Sequence, residues 1–252
     1  SFLGEYPWHQ ANCCDIDLCG FKRPQSFYRD VLWRNGTKLY VAVHLPPPEG
    51  RKQIPTYWGW PDVWPNWTWP GREGQIFKVD IYSACEQVEL FLNGRSLGVK
   101  PTTRQERFIA TFEVPYEPGT LKAVGYADGR AIAECEVRTV GEPAGIRLTP
   151  DRGTIKAEAG DLCYVTVEVV DGDGLVHPHA DHTIFFTVKG VGEIAAVGNS
   201  NPTSTERYRG NQRKAYRGRC LVVVKSCGKP GEIRLRAQAD GLDEAEAVIR
   251  AA

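Results

Sequence analysis

Val88-Glu89-Leu90-Phe91-Leu92-Asn93-Gly94-Arg95-Ser96-Leu97-Gly98-Val99 decides the fold. Its two runs flank Asn-Gly, the pair best able to take the two left-handed conformations of a type I′ turn, so the stretch predicts a β-hairpin whose register is fixed. The same device recurs downstream, where Asp128-Gly129 joins Leu121–Ala127 to Ala131–Val137. Upstream, Ile76 to Ser83 alternates, Thr37 to Leu45 (TKLYVAVHL) reads as a strand, and Phe108 to Val114 adds another. Six or seven short strands with no helical period among them predict an immunoglobulin-like β-sandwich of about a hundred residues.

After Thr139-Val140-Gly141-Glu142-Pro143, which reads as a linker, the pattern starts afresh. Ile146/Leu148, Cys163/Val165/Val167/Val169, Ile184/Phe186/Val188, Cys220/Val222/Val224 and Ile233/Leu235/Ala237 each put alternate apolar residues on one face. A second sandwich follows. Gly198 to Gly218 reads as one long polar loop, and Asp171-Gly172-Asp173-Gly174 as a plain turn, since it lacks the twelfth-position acid of a calcium loop.

The start of the chain differs. Asp15 to Phe21 reads as a strand end and loop, and Arg23-Pro24-Gln25-Ser26 opens a helix in which Phe27/Val31 and Tyr28/Leu32 pair at the i, i+4 spacing before Asn35-Gly36 stops it. A strand end and one helix are half of a β/α unit, which must dock on the remaining chain or belong to a barrel. The fold class expected is therefore all-β: two immunoglobulin-like sandwiches in tandem, preceded by a short β/α segment. The domains expected are residues 1–36, 37–140 (with a tryptophan-rich connector over 58–70) and 141–252.

That connector, Trp58-Gly59-Trp60-Pro61-Asp62-Val63-Trp64-Pro65-Asn66-Trp67-Thr68-Trp69-Pro70, holds five of the seven tryptophans, and its prolines predict an extended course. Exposed indoles stack on sugars, whereas covered ones make a hydrophobic seam. Trp58, Trp60, Trp64, Trp67 and Trp69 are thus candidate sugar contacts, and their place between a helix and a sandwich favours the seam.

Lys+Arg and Asp+Glu both number 31, so no net field draws the chain to nucleic acid or an anionic membrane. No apolar run reaches the ~18 residues of a membrane span, no signal peptide is visible, and the lack of Met suggests a piece of a longer chain. The eight cysteines are scattered, several within predicted strands, and read as buried free thiols of a reducing compartment. No metal or cofactor is expected. His9, Cys13, Cys14 and Cys19 lack a CxxC pair, and His177, His179 and His182 lie in a loop without a partner acid at fixed offset. Asn35-Gly36-Thr37 and Asn66-Trp67-Thr68 match the glycosylation sequon, which has no meaning in that compartment.

Several ordered segments then acquire a common meaning. Cys14-Asp15-Ile16-Asp17-Leu18-Cys19-Gly20-Phe21-Lys22-Arg23-Pro24-Gln25-Ser26-Phe27-Tyr28-Arg29-Asp30, the Val88 to Gly98 hairpin, Tyr116-Glu117-Pro118-Gly119-Thr120-Leu121-Lys122-Ala123, Arg138-Thr139, Leu148-Thr149-Pro150-Asp151-Arg152 and Val197-Gly198-Asn199 resemble the C-terminal part of family 2 β-galactosidases. The resemblance spans almost the whole chain. It implies that a (β/α)8 catalytic barrel lies upstream, that residues 1–36 are the remnant of that TIM barrel, and that the sandwiches are ancillary domains.

The family's acid/base and nucleophile glutamates sit on earlier barrel strands, about 5 Å apart for retention. Neither position falls in this chain, so the resemblance implies an inactive supporting portion of a retaining glycosidase. Its partners would be the barrel, carbohydrate reached through the parent, and the other subunits of a homo-oligomer. Asp15 and Asp17 fall where the last barrel strand opens toward the catalytic face, which makes them candidate barrel-rim contacts. Two other readings fit parts of the chain: a carbohydrate-binding module, and an immunoglobulin-like structural or adhesion protein.

Overall fold

The computed structural model describes residues 6–9, 14–34, 36, 38–47, 60–158 and 160–252. They group into two compact units. One comprises residues 14–16 and 22–139, the other residues 6–9, 17–21 and 140–252.

The first unit is a sandwich of two antiparallel four-stranded sheets. One holds β1 (Leu39–His44), β2 (Val63–Trp64), β3 (Ile76–Ser83) and β6 (Ile109–Pro115) in the order β2-β1-β3-β6. The other holds β4 (Gln87–Leu92), β5 (Arg95–Pro101), β7 (Thr120–Ala127) and β8 (Arg130–Arg138) in the order β5-β4-β7-β8. The chain crosses between the sheets from β3 to β4, from β5 to β6 and back from β6 to β7, which is the crossing pattern of an immunoglobulin-like sandwich. Asn93 (φ 51°) and Gly94 (φ 80°), like Asp128 (φ 50°) and Gly129 (φ 70°), take the left-handed pairs that their hairpins require. Val41, Val79, Ile81, Val88, Leu90, Leu92, Val114 and Leu121 are fully buried between the sheets, as period-2 patterning demands.

One sheet of this sandwich is covered on both faces. Helix α1 (Pro24–Trp33) is short, has no side-chain N-cap and carries no acid in its first turn, so alone it would be marginal. Packing holds it instead. Val31 joins Tyr40, Ala42, Val63 and Tyr82 in a cluster on the outer face of β1 and β3, and Phe27 stacks on Tyr40 with ring centroids 4.5 Å apart. The β/α start therefore docks on the sandwich that follows it. Arg34 closes the helix in the left-handed conformation (φ 55°), its N–H donating to the Asp30 and Val31 carbonyls.

The second unit is a sandwich of another strand order. β9 (Pro143–Pro150), β11 (Leu162–Asp171), β13 (Gly192–Gly198) and β15 (Arg219–Ser226) make the sheet β13-β15-β11-β9. β10 (Thr154–Ile155), β12 (Thr183–Gly190), β14 (Gln212–Lys214), β16 (Gly231–Gln238) and β17 (Ala245–Ala251) make the sheet β10-β17-β16-β12-β14, in which β10 runs parallel to β17. The chain thus crosses from one sheet to the other between β9 and β10, which closes an edge of the second sheet. Cys163, Val165, Val167, Ile184, Phe186, Cys220, Val222, Val224, Ile233 and Leu235 are fully buried in its core. The span from Gly198 to Gly218 is not purely a loop: β14 lies within it and pairs with β12.

Candidate functional site

The connector's tryptophans part company. Trp67 has no exposed surface; it lies in the core of the first sandwich, edge-on to Phe77 (6.0 Å) and Tyr116 (5.2 Å), and donates its Nε1–H to the Glu117 carbonyl at 3.0 Å. Trp69 is buried beside it, stacked on Phe77 at 5.0 Å, with its Nε1–H directed to the Asn66 carbonyl. Neither ring has a free face to offer a sugar. Asn66 of the second sequon is itself buried, its side-chain oxygen accepting the Thr68 N–H at 2.8 Å.

Trp60 and Trp64 are half-buried. Trp60 packs at 5.2 Å from Tyr28 and 6.1 Å from Tyr82, among the rings under α1. Its indole N–H and the Tyr82 hydroxyl are both buried without a hydrogen bond of good geometry, and burial pushes the Tyr82 phenol up. Trp64 pairs with Val43 in the short β2. Trp58 lies outside the described residues.

Asp15 and Asp17 serve the local backbone and charge. Asp15 pairs with Arg29 of α1, while its carbonyl accepts the Arg23 N–H at 2.8 Å. Asp17 Oδ1 accepts the N–H groups of Cys19 (2.9 Å) and Phe21 (3.0 Å), an Asx turn that shapes the 17–21 loop. Both carboxylates thus take part in ordering the segment that leads into α1.

The most densely bonded polar site lies in the second sandwich. Arg213, 1% exposed, donates to the carbonyls of Glu206 (3.1 Å) and Arg207 (3.4 Å), to Asn199 Oδ1 (3.2 Å) and to Ser204 Oγ (3.3 Å). Tyr208 lies over its guanidinium at 5.2 Å, and the Glu206 carboxylate sits 3.6 Å from its Nε. Asn199 in turn donates to the Lys214 carbonyl at 2.8 Å. Next to this site is Cys19, whose thiol is pushed up to about 12, by burial first and by the Asp17 charge second. A thiol held so firmly protonated is a packing group rather than a nucleophile. An arginine in a polar loop carries no mark of burial in sequence, so this site was legible there only as part of the polar span from Gly198 to Gly218.

Remaining candidates are also tied into the fold. Asp171 accepts the backbone N–H groups of Asp173 (3.0 Å), Leu175 (2.8 Å) and Gly141 (2.9 Å), which spends the acid of the Asp-Gly-Asp-Gly turn on holding that turn. His177 and His179 sit with ring centroids 6.2 Å apart, and burial together with the His179 charge lowers the His177 pKa. Seven described cysteines are free, and Cys13 lies outside the described residues. His44 Nε2 and Asp80 Oδ2 meet at 2.6 Å on the outer face of β1 and β3, with Thr111 Oγ1 donating to Asp80 Oδ1 at 2.7 Å.

Comparison with known proteins places this arrangement. A sequence profile described as glycoside hydrolase family 2 C-terminal domain 5 matches residues 146–248, and one described as a domain of unknown function matches residues 74–133. The β-galactosidase BoGH2A of Bacteroides ovatus is 45% identical over 236 residues, which cover 94% of this chain and 25% of that protein. The chain belongs to the C-terminal region of glycoside hydrolase family 2.

Solved structures agree. A family 2 member from Bacteroides cellulosilyticus superposes with a TM-score of 0.91 at 39% identity over 98% of this chain and 32% of that one. A β-glycosidase from Bacteroides vulgatus gives 0.84 at 28% identity, over 98% of this chain and 29% of the other. The chain thus spans a quarter to a third of the length of these family 2 proteins.

Proposed function

We propose that this region is the non-catalytic C-terminal support of a β-galactosidase-like family 2 glycosidase, and that its first thirty-odd residues seat the catalytic barrel. On this reading residues 1–36 complete the barrel's last unit, and residues 37–140 and 141–252 are the two ancillary sandwiches.

One observation carries the reading: large apolar side chains are left exposed close together in sequence at the start of the chain, whereas those further along are scattered. In the first sandwich's unit Ile16, Leu32 and Trp33 are exposed, Trp33 at 72%, although the opposite stripe of α1 is buried. In the second unit Tyr6, Trp8 and Leu18 are exposed, Tyr6 at 86%. An amphipathic helix that buries one stripe and still presents leucine and tryptophan on another calls for a second apolar partner. Relatives three to four times longer than this chain carry sequence beyond the match, which leaves room for such a partner. The relatives named β-galactosidase and β-glucuronidase support a glycoside as the parent's substrate, with the β-galactosidase the more similar of the two.

The test is hydrolysis of an aryl β-galactoside by the whole protein, by the upstream portion alone, and by this chain alone. The reading expects turnover from the whole protein, none from this chain, and a marked loss in the upstream portion. Turnover by the purified chain would overturn it.

A further inference from the structure

We propose that the groove at the C-terminal end of α1, on the first sandwich, binds a short acidic oligosaccharide, a uronate-bearing chain of two or three sugars. The groove has a volume of about 870 Å³ and is bounded by Arg34, Lys38 and Arg104, with Phe108 and Ile132 among its apolar lining and Glu86 at its edge. That volume falls within the roughly 300–1,000 Å³ of small-molecule sites.

Charge sets the first term. The side chains of Arg34, Lys38 and Arg104 have no hydrogen-bond or ion-pair partner among the described residues. Five cations elsewhere on this sandwich are answered by acids: Lys22 by Asp30, Arg29 by Asp15, Arg95 by Glu117, Lys122 by Glu134 and Arg138 by Glu136. Against the three cations stand the Glu86 carboxylate and the α1 C-terminus, worth roughly half a negative charge. The balance is positive, so the occupant carries negative charge.

The other residues say what kind of anion. Phe108 is half-buried and Ile132 exposed, which offers an apolar surface of the sort on which the C–H face of a sugar ring rests. Glu86 would repel a bare anion but accepts hydroxyls well, and the Asp128 N–H holds it at 3.1 Å. Guanidinium, carboxylate and aromatic ring together match a ligand that has carboxylates, hydroxyls and apolar faces at once.

The backbone here is also held in an unusual state. Arg34 (φ 55°), Arg107 (φ 57°) and Phe108 (φ 62°) are all left-handed at bulky side chains, a conformation that concentrates at functional sites. The turn is fixed by Phe108 N–H to the Thr103 carbonyl (3.0 Å), and the Tyr28 hydroxyl of α1 donates to the Arg107 carbonyl (2.9 Å). Arg34 and the Phe108 ring are thus presented from pinned backbone, which limits the entropy lost on binding.

This proposal stands independently of the support role above. It is tested by calorimetric titration of the purified chain with trigalacturonate, maltotriose and a tetraglutamate peptide. Trigalacturonate should bind at least about tenfold more tightly than maltotriose, and the Lys38→Gln/Arg104→Gln double variant should lose about tenfold or more, the scale of one or more charge-assisted hydrogen bonds. Added salt should weaken binding. Glu86→Ala should also weaken it, whereas at a bare anion site removing that charge would tighten it. Unchanged thermal unfolding confirms that each variant is folded. The proposal is overturned by absent binding, by equal affinity for maltotriose, by indifference to the double substitution, or by tightening in Glu86→Ala. Tighter binding of tetraglutamate than of trigalacturonate would overturn it too, assigning the groove to an acidic polypeptide.

Discussion

Replacing Trp67 by alanine removes the largest fully buried side chain among the described residues, and the structure sets the scale of the loss. A buried aromatic side chain withdraws about 150–250 Å² from water, which at about 25 cal/mol per Å² is worth roughly 4–6 kcal/mol. The alanine methyl and the compactness of the unfolded chain reduce this to about 3–5 kcal/mol. Trp67→Phe keeps most of the ring against Phe77 and Tyr116 but loses the donor to the Glu117 carbonyl, so it should cost about 1–2 kcal/mol. Urea unfolding with hydrogen exchange separates the two sandwiches: amides of β3, β4 and β7 should lose protection while those of β11 and β15 keep theirs. A Trp67→Ala loss below about 1 kcal/mol would refute the placement of this indole as a core keystone.

Three further outcomes are expected. Burial pushes the Asp80 carboxyl up, but the hydrogen bonds from His44 and Thr111 outweigh it and hold the group below the ordinary carboxylate value. Its contribution to stability is therefore present above the unfolded value near pH 4 and lost as pH falls through the folded one, and Asp80→Asn should flatten this acid limb of the urea midpoint against pH. A Cβ on Gly190 would stand 2.0 Å from the Glu232 carbonyl oxygen at φ +94°, so Gly190→Ala should destabilise the second sandwich by about 2–4 kcal/mol in thermal unfolding. In a thiol titration near pH 8, exposed Cys227 should react rapidly, whereas Cys19, Cys163 and Cys220, all pushed up first by burial, should wait on unfolding; Cys163 is pushed to about 11.

Legibility in the sequence followed the range of the interaction that decides each feature. The hairpins at Asn93-Gly94 and Asp128-Gly129 were readable because the left-handed conformation is a local demand that few residues meet. Helix α1 was readable for the same reason, from its proline start and its i, i+4 pairs. Strands β13 and β17 escaped notice: Ala196, Ala245, Ala247 and Ala251 are too small to mark a face until neighbouring strands bury them. The connector showed its tryptophans but not their division, since Trp67 and Trp69 enter the core against Phe77 together with Tyr116, the latter far along the chain. The grouping of residues 17–21 with the second unit depends on partners about 180 or more residues away, whereas Arg213 is held by partners within 14 residues, in a loop whose composition does not mark which cation turns inward.

The most direct test of the support role is restoration of activity in trans. The upstream portion of the whole protein, produced alone, should hydrolyse an aryl β-galactoside poorly, and adding this chain should restore turnover. The variant Leu32→Ser/Trp33→Ser, which changes only exposed side chains of α1, should restore much less. Full turnover by the upstream portion alone, or equal rescue by the variant, would contradict the account.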